Sequence, residues 1–185
     1  MRWKWPKLGT TLSRMNLTMP TPLHVIATGG TFDKAYDPIA GKLTFTDSHL
    51  LGALERCRLN IAPTLTTLPL QDSLDMDDED RDRIRDTCMA SPSKRIVVIH
   101  GTDTMPDTAR VLGRSRAAPL LLKTIVLTGA MVPYSVANSD ALFNLGFACG
   151  VAQLLPEGVY LAMNGMVFPW DNVKKDKAAG RFLRA

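Results

Sequence analysis

The stretch LHVIATGGT at residues 23–31 runs from an apolar segment directly into a polar loop with two glycines. A second stretch, RIVVIHGTDT at residues 95–104, has the same order of apolar run, glycine and threonine. In open parallel sheets, ligands gather beyond the carboxyl ends of the strands, where loops vary without disturbing the core. The two stretches therefore predict two buried, parallel strands that end at one ligand site.

Short apolar runs alternate with helical patterns over the rest of the chain, which is typical of α/β proteins. Besides strands at residues 23–28 and 95–100, we predict strands at 65–70, 124–128 and 159–163, and an antiparallel strand after the Asn164-Gly165 turn. We predict helices at 47–58, at 77–90, from Met105 onward, and at 139–154. The expected fold class is α/β, with an open, mostly parallel, doubly wound sheet, helices on both faces and an antiparallel edge hairpin.

The composition favours a single soluble domain at residues 23–185. The chain has 185 residues, 45% of them hydrophobic, which is enough for one sizeable core. No apolar run reaches the roughly 20 residues of a membrane-spanning helix. We therefore expect no membrane association from this part of the chain.

Residues 1–22 form a basic segment that carries the whole net charge. This segment holds Arg2, Lys4, Lys7 and Arg14 and no acid, so the remaining residues hold 18 bases and 18 acids. We interpret it as a flexible basic extension, and a weak membrane-surface contact or a segment upstream of a start at Met15 or Met19 stays open. The neutral remainder predicts no nucleic-acid binding.

Cysteine and histidine usage indicates neither a disulfide framework nor a metal site. Cys57, Cys88 and Cys149 are widely spaced and odd in number, which fits reduced, buried thiols in a cytoplasmic protein. The three histidines are scattered along the chain, and no Cys or His cluster has metal-ligand spacing. We predict no metal and no organic cofactor.

Hydroxyl and carboxylate groups recur in the predicted strand-end loops. Thr31 follows Gly30, whose freedom at positive φ lets the backbone approach a ligand with main-chain N–H donors exposed. Thr102 and Asp103 lie at a predicted helix start, where unpaired N–H groups favour negative charge. The alternative is that these loops are ordinary turns and helix caps.

Four segments together resemble the L-asparaginase and glutaminase-asparaginase family. They are ATGGT at residues 27–31, DSLDM at 72–76, HGTDTM at 100–105, and TGAM at 128–131 with Pro133 behind it. The resemblance extends from about Leu23 to about Lys177. Because the chain ends at Ala185, it resembles the short-chain forms, which keep only the amino-terminal domain.

The resemblance implies a set of catalytic residues. Thr31 would be the nucleophile, and Tyr36 the nearby hydroxyl that helps to activate it. Thr102 and Asp103 would form a second catalytic pair that a lysine completes. Alignment without gaps after Asn164 places this lysine at Lys175, and Lys174 is the rival candidate.

The same resemblance implies the reaction and the groups that bind the substrate. The chain would be an amidohydrolase that converts L-asparagine to L-aspartate and ammonia through a threonine acyl-enzyme, with minor activity on L-glutamine. The implied substrate-binding residues are Gly30, Asp72, Ser73, Gly101 and Ala130. We expect a small amino acid as substrate and a homo-oligomer whose neighbouring subunit covers the site. The alternative is an inactive remnant of the same fold that binds or senses an amino acid.

Overall fold

The structure of the protein is a computed structural model that describes residues 22–60, 62–115 and 117–185. The basic extension predicted at residues 1–22 lies outside the described residues except for Pro22. None of the helices in the described ranges combines the length and the apolar character needed to cross a bilayer.

Strands and helices alternate along most of the described chain. The strands are β1 (Leu23–Gly29), β2 (Lys34–Asp37), β3 (Lys42–Phe45), β4 (Thr64–Gln71), β5 (Arg95–Ile99), β6 (Thr124–Thr128), β7 (Gly158–Met163), β8 (Met166–Pro169), β9 (Lys174–Asp176) and β10 (Arg181–Leu183). The helices are α1 (Leu50–Cys57), α2 (Asp78–Ala90), α3 (Met105–Arg114), α4 (Ala118–Leu121) and α5 (Ala141–Leu154). A 3-10 turn at Thr31–Asp33 follows β1.

Six strands form the central sheet in the order β4-β1-β5-β6-β7-β8. The pairings from β4 to β7 are parallel, and β8 pairs antiparallel with β7 at one edge. The predicted fold class is therefore confirmed, and each predicted strand of this sheet is present with small shifts at its ends. Since the first five of these strands run parallel, the loops that follow them leave the sheet at the same edge.

Two apolar layers cover the two faces of the sheet. On one face, Ile26, Ile96 and Ile125 pack among buried residues of α2 and α3. On the other face, Val25 and Val97 pack among buried residues of α1 and α5. Because side chains alternate across a strand, each central strand feeds both layers, which explains its continuous apolar sequence.

Two small hairpins in the structure are not predicted from the sequence. The strand pairs β2–β3 and β9–β10 each form a two-stranded antiparallel sheet. Their strands have only three or four residues, which is too short for a recognisable alternation of polar and apolar residues. Helix α1 begins at Leu50 rather than at the predicted residue 47, because Ser48 and the backbone N–H of His49 bind the carboxylate of Asp33.

The cysteine thiols in the structure are free. Cys88 and Cys149 are buried as expected, and burial raises the pKa of each to about 12. Cys57, which was expected to be buried, is only partly buried at the end of α1.

A carboxylate fixes the loop that follows β6. Asp140 accepts hydrogen bonds from the backbone N–H groups of Met131 and Val132 at 2.9–3.1 Å. It also accepts one from the side chain of Asn144, whose amide donates in turn to the carbonyl of Gly129. The start of α5 thus holds residues 129–132 against the end of β6.

Candidate active site

The loops after β1, β4 and β5 are in direct contact, with Gly30 against the backbone of Gly101 and Gly101 against the side chain of Ser73. A Cβ added to Gly30 would lie 2.3 Å from the Cα of Gly101, and a Cβ added to Gly101 would lie 2.6 Å from the Cβ of Ser73. Gly30 also has a φ of +69°, which favours glycine. Its N–H donates to the carbonyl of Gln71 at 2.9 Å, so this donor is engaged and cannot contact a ligand as expected from the sequence.

Replacement of Gly101 by alanine tests this packing. We expect Gly101→Ala to displace Ser73, because both its Cβ and its hydroxyl would lie 2.6 Å from the new methyl group. Forced overpacking of this kind costs about 1–3 kcal/mol, so the melting temperature should fall in a thermal melt. Gly146→Ala is the matched control, because its Cβ would meet no atom within 4 Å. Equal melting temperatures for the two variants would contradict the close contact.

A lysine joins the second strand-end loop to the β9–β10 hairpin. The Nζ of Lys175 donates to the hydroxyl of Thr102 at 2.7 Å and to the carboxylate of Asp103 at 2.9 Å. The side chain of Lys175 is 11% exposed, and Thr102 is buried. Lys174 is exposed, and since it precedes Lys175 in β9 its side chain lies on the opposite face of the hairpin. The geometry therefore brings Lys175, and not Lys174, to Thr102 and Asp103.

A second lysine contacts the loop after β4. The Nζ of Lys34 donates to Oδ2 of Asp72 at 2.6 Å, while Oδ1 accepts from the backbone N–H of Leu74 at 3.1 Å. Burial raises the pKa of Asp72, but these hydrogen bonds and the charges of Lys34 and Lys175 outweigh burial and lower it overall. Asp72 is therefore ionised at neutral pH. Ser73 is buried beside it, and its carbonyl accepts a hydrogen bond from the hydroxyl of Thr104 at 2.7 Å.

Thr31 begins the 3-10 turn and is partly exposed, whereas the next two residues are fully buried. The ring of Phe32 stacks on Tyr134 with a centroid distance of 5.9 Å. Asp33 accepts from the hydroxyl of Ser48 at 2.9 Å and from the backbone N–H of His49 at 2.8 Å, and burial raises its pKa. These contacts anchor the turn that presents Thr31. No motif in the sequence indicates Asp33, because its partners lie 15 and 16 residues away along the chain.

Tyr36 and Ala130 have surroundings that the sequence does not indicate. Tyr36 lies on β2 opposite Leu43 and is 62% exposed. In the described part of the chain its hydroxyl makes no hydrogen bond to Thr31, so its activating role stays a prediction. Ala130 is fully buried in the apolar layer with Val126, so only its backbone can face a ligand.

His100 stabilises the loop that follows β5. It is fully buried at the end of β5, and its Nδ1 contacts the carbonyl of Gly101 at 2.8 Å while Nε2 contacts the hydroxyl of Thr108 at 2.8 Å. Because the carbonyl can only accept, Nδ1 donates and Nε2 accepts. Burial lowers the pKa of His100 to about 4. The imidazole is therefore neutral and holds Gly101 in place.

This burial predicts a pH dependence of stability. The unfolded chain binds a proton at His100 near pH 6.5 and the folded chain only near pH 4. The contribution of His100 to stability is thus complete above pH 6.5 and is lost as the pH falls toward 4, by about 3 kcal/mol. Urea denaturation at pH 7 and pH 4.5 measures the loss, and His100→Gln should reduce it. Burial and Lys123 also lower the pKa of His24, so this residue contributes to the same loss of stability at low pH. The variant His24→Gln measures that contribution separately. An unchanged loss in His100→Gln would contradict the assignment.

The described residues contain no group of three or more His, Cys, Asp or Glu side chains that could hold a metal ion. The loop after β5 and the β9–β10 hairpin bring together Thr102, Asp103 and Lys175, next to the glycines that lead into Thr31. The fold and this site define an α/β protein with threonine, lysine and carboxylate groups at the carboxyl edge of a parallel sheet.

Comparison with known proteins identifies the family. The sequence profile described as asparaginase, N-terminal, matches residues 22–181, and the chain belongs to the asparaginase family. L-asparaginase 1 of Escherichia coli is 31% identical over 166 residues, which cover 85% of this chain and 48% of that protein. The chain thus spans about half the length of this curated relative.

Solved structures agree with this assignment. The thermostable L-asparaginase from Thermococcus kodakarensis superposes with a TM-score of 0.78 at 27% identity, over 89% of this chain and 51% of that one. L-asparaginase I from Vibrio cholerae gives a TM-score of 0.76 at 26% identity, over 90% of this chain and 52% of that one. The family resemblance expected from the four sequence segments is confirmed.

Proposed function

We propose that this chain hydrolyses the side-chain amide of L-asparagine to give L-aspartate and ammonia, with minor activity on L-glutamine. The observation that carries the proposal is Lys175, whose Nζ lies between the Thr102 hydroxyl and the Asp103 carboxylate at the strand ends. Membership of the asparaginase family and the names of the similar proteins support the same reaction.

In the proposed mechanism, Thr31 is the nucleophile. Its Oγ1 forms a bond to the amide carbon, the C–N bond breaks, and the leaving nitrogen takes up a proton and departs as ammonia. Water then attacks the resulting ester, which releases the free acid and restores the Thr31 hydroxyl. A free threonine hydroxyl is a weak nucleophile at neutral pH, so the first step needs a group that accepts its proton.

Two groups are proposed to serve proton transfer. Lys175 and Asp103 contact each other and Lys175 contacts the Thr102 hydroxyl, so a proton can pass along this short chain of hydrogen bonds. Tyr36 is the second candidate. Because it is 62% exposed, we propose that it reaches Thr31 only when ligand or a neighbouring subunit covers the hairpin.

Binding of the substrate is assigned to the groups around the joined loops. Asp72 and Asp103 are the carboxylates proposed to bind an ammonium group, and Ser73 with the backbone of Gly101 and Ala130 forms the adjoining surface. Gly30 takes part through its close packing on Gly101, since its N–H already donates to Gln71. The buried contact of Gly101 with Ser73 supports the assignment, since it makes one continuous surface from two loops. In a desolvated site, a small number of precisely placed polar groups fixes the orientation of a small ligand.

We also propose that residues 23–185 form one domain that works in the cytoplasm as a homo-oligomer. The free thiols support a reducing compartment. Helix α5 supports association, because its sequence contains no charged residue although Phe143 is 59% and Leu154 56% exposed. Sedimentation of active protein tests this assembly, and an active monomer would contradict it.

An assay of ammonia release tests the proposed reaction. We expect turnover of L-asparagine at neutral pH and slower turnover of L-glutamine. Calorimetry with the same amino acids accompanies the assay. Binding of L-asparagine without release of ammonia would overturn the hydrolase assignment in favour of an amino-acid-binding protein.

A further inference from the structure

Lys34 is an ammonium group inside the candidate site that the proposed reaction does not use. It lies on β2, three residues after Thr31, and its Nζ contacts Oδ2 of Asp72 at 2.6 Å. The other oxygen of Asp72 accepts from the backbone N–H of Leu74. Both oxygens of this carboxylate are therefore engaged by groups of the chain itself.

The charged side chains of the site form two ion pairs within the chain. Lys34 pairs with Asp72, and Lys175 pairs with Asp103. An amino acid brings an α-ammonium group, for which a carboxylate is the natural partner. If Asp72 is that partner, the α-ammonium has to take the position that the ammonium of Lys34 now occupies.

We propose that Lys34 is a specificity-determining residue, whose ammonium group competes with the α-ammonium of an amino acid for Asp72. The competition lowers the affinity for amino acids relative to dicarboxylic acids and their amides that lack the α-ammonium. The inference rests on the proposed function for the chemical class of the ligand. It does not depend on hydrolysis.

The contacts of Lys34 allow its side chain to leave while its backbone stays fixed. Its carbonyl accepts a hydrogen bond from the hydroxyl of Ser135 at 2.9 Å, and its backbone pairs with that of Phe45 in the hairpin. Its Nζ already lies 5.7 Å from the centre of the Phe45 ring, and the side chain is 22% exposed. The ammonium can therefore shift toward the face of the ring and solvent, where a cation is still stabilised. The α-ammonium of a ligand can therefore displace the Lys34 ammonium from Asp72.

Calorimetry with L-aspartate and succinate measures the competition directly. The two ligands differ in the α-ammonium, and neither is hydrolysed. In Lys34→Met the carboxylate of Asp72 becomes free to bind an ammonium and repels an additional anion. We expect the ratio of the L-aspartate affinity to the succinate affinity to be about tenfold higher in Lys34→Met than in the native chain. This is the scale of one partly buried charge-assisted hydrogen bond.

The matched control is Lys42→Met, which removes an exposed lysine from the other strand of the same hairpin. Its affinity ratio should equal that of the native chain. An unchanged affinity ratio in Lys34→Met would overturn the inference. Equally weaker binding of both ligands would also overturn it, because it would make Lys34 a group that binds ligand carboxylates. Absence of binding for both ligands in both proteins would also overturn it. The expected shift in ratio without ammonia release from L-asparagine would instead contradict the proposed function alone.

Discussion

Replacement of Thr31 by valine is expected to lower ammonia release from L-asparagine by about a thousandfold or more, since the reaction has no other nucleophile at this position. Valine keeps the branched shape of threonine and removes only the hydroxyl. Thr31 is partly exposed, and the turn is anchored by Phe32 and Asp33, so the fold should persist. Steady-state ammonia assays and a thermal melt of the same sample separate lost chemistry from lost structure.

Two further experiments make the assignment of Thr31 specific. Thr31→Ser retains a hydroxyl and should recover a measurable part of the activity, which neither Thr31→Val nor Thr31→Ala can do. Acid quenching during turnover, followed by peptide mass spectrometry, should locate an aspartyl ester on the peptide that contains Thr31. An ester on the peptide with Thr102 would contradict the assignment, since the Thr102 hydroxyl also lies in the site and contacts Lys175.

The central sheet could be predicted because its chemistry is local. Each inner strand is a short apolar run followed by a polar loop with glycine, and burial on both faces requires that pattern. The β2–β3 hairpin had no comparable signal, because its residues are mostly exposed or half-buried and its strands have four residues each. Strand β2 of this hairpin carries both Tyr36 and Lys34, whose surroundings therefore could not be predicted from the sequence.

The loops of the candidate site could be predicted from the sequence, but most of the side-chain contacts that these loops make could not. The motifs around Thr31, Ser73 and Thr102 could be read directly, and packing of their loops follows from parallel strands that end together. Lys175 came from the resemblance alone, and its distinction from Lys174 required the alternation of side chains in β9. The contacts of Lys34 with Asp72 and of Asp33 with Ser48 join distant parts of the chain, so no spacing in the sequence indicates them.

Lys175→Met should reduce kcat for L-asparagine by about 10²–10³-fold, which is the usual contribution of a positioned acid or base. Methionine retains much of the side-chain length but leaves the Thr102 hydroxyl and the Asp103 carboxylate without their shared donor. Lys174→Met is the matched control, because Lys174 is the adjacent lysine, is exposed, and should tolerate the change within about twofold. Loss of activity in Lys174→Met with retention in Lys175→Met would reverse the assignment. Equal loss in both variants would indicate that the reaction depends on the β9–β10 hairpin as a whole rather than on one ammonium group.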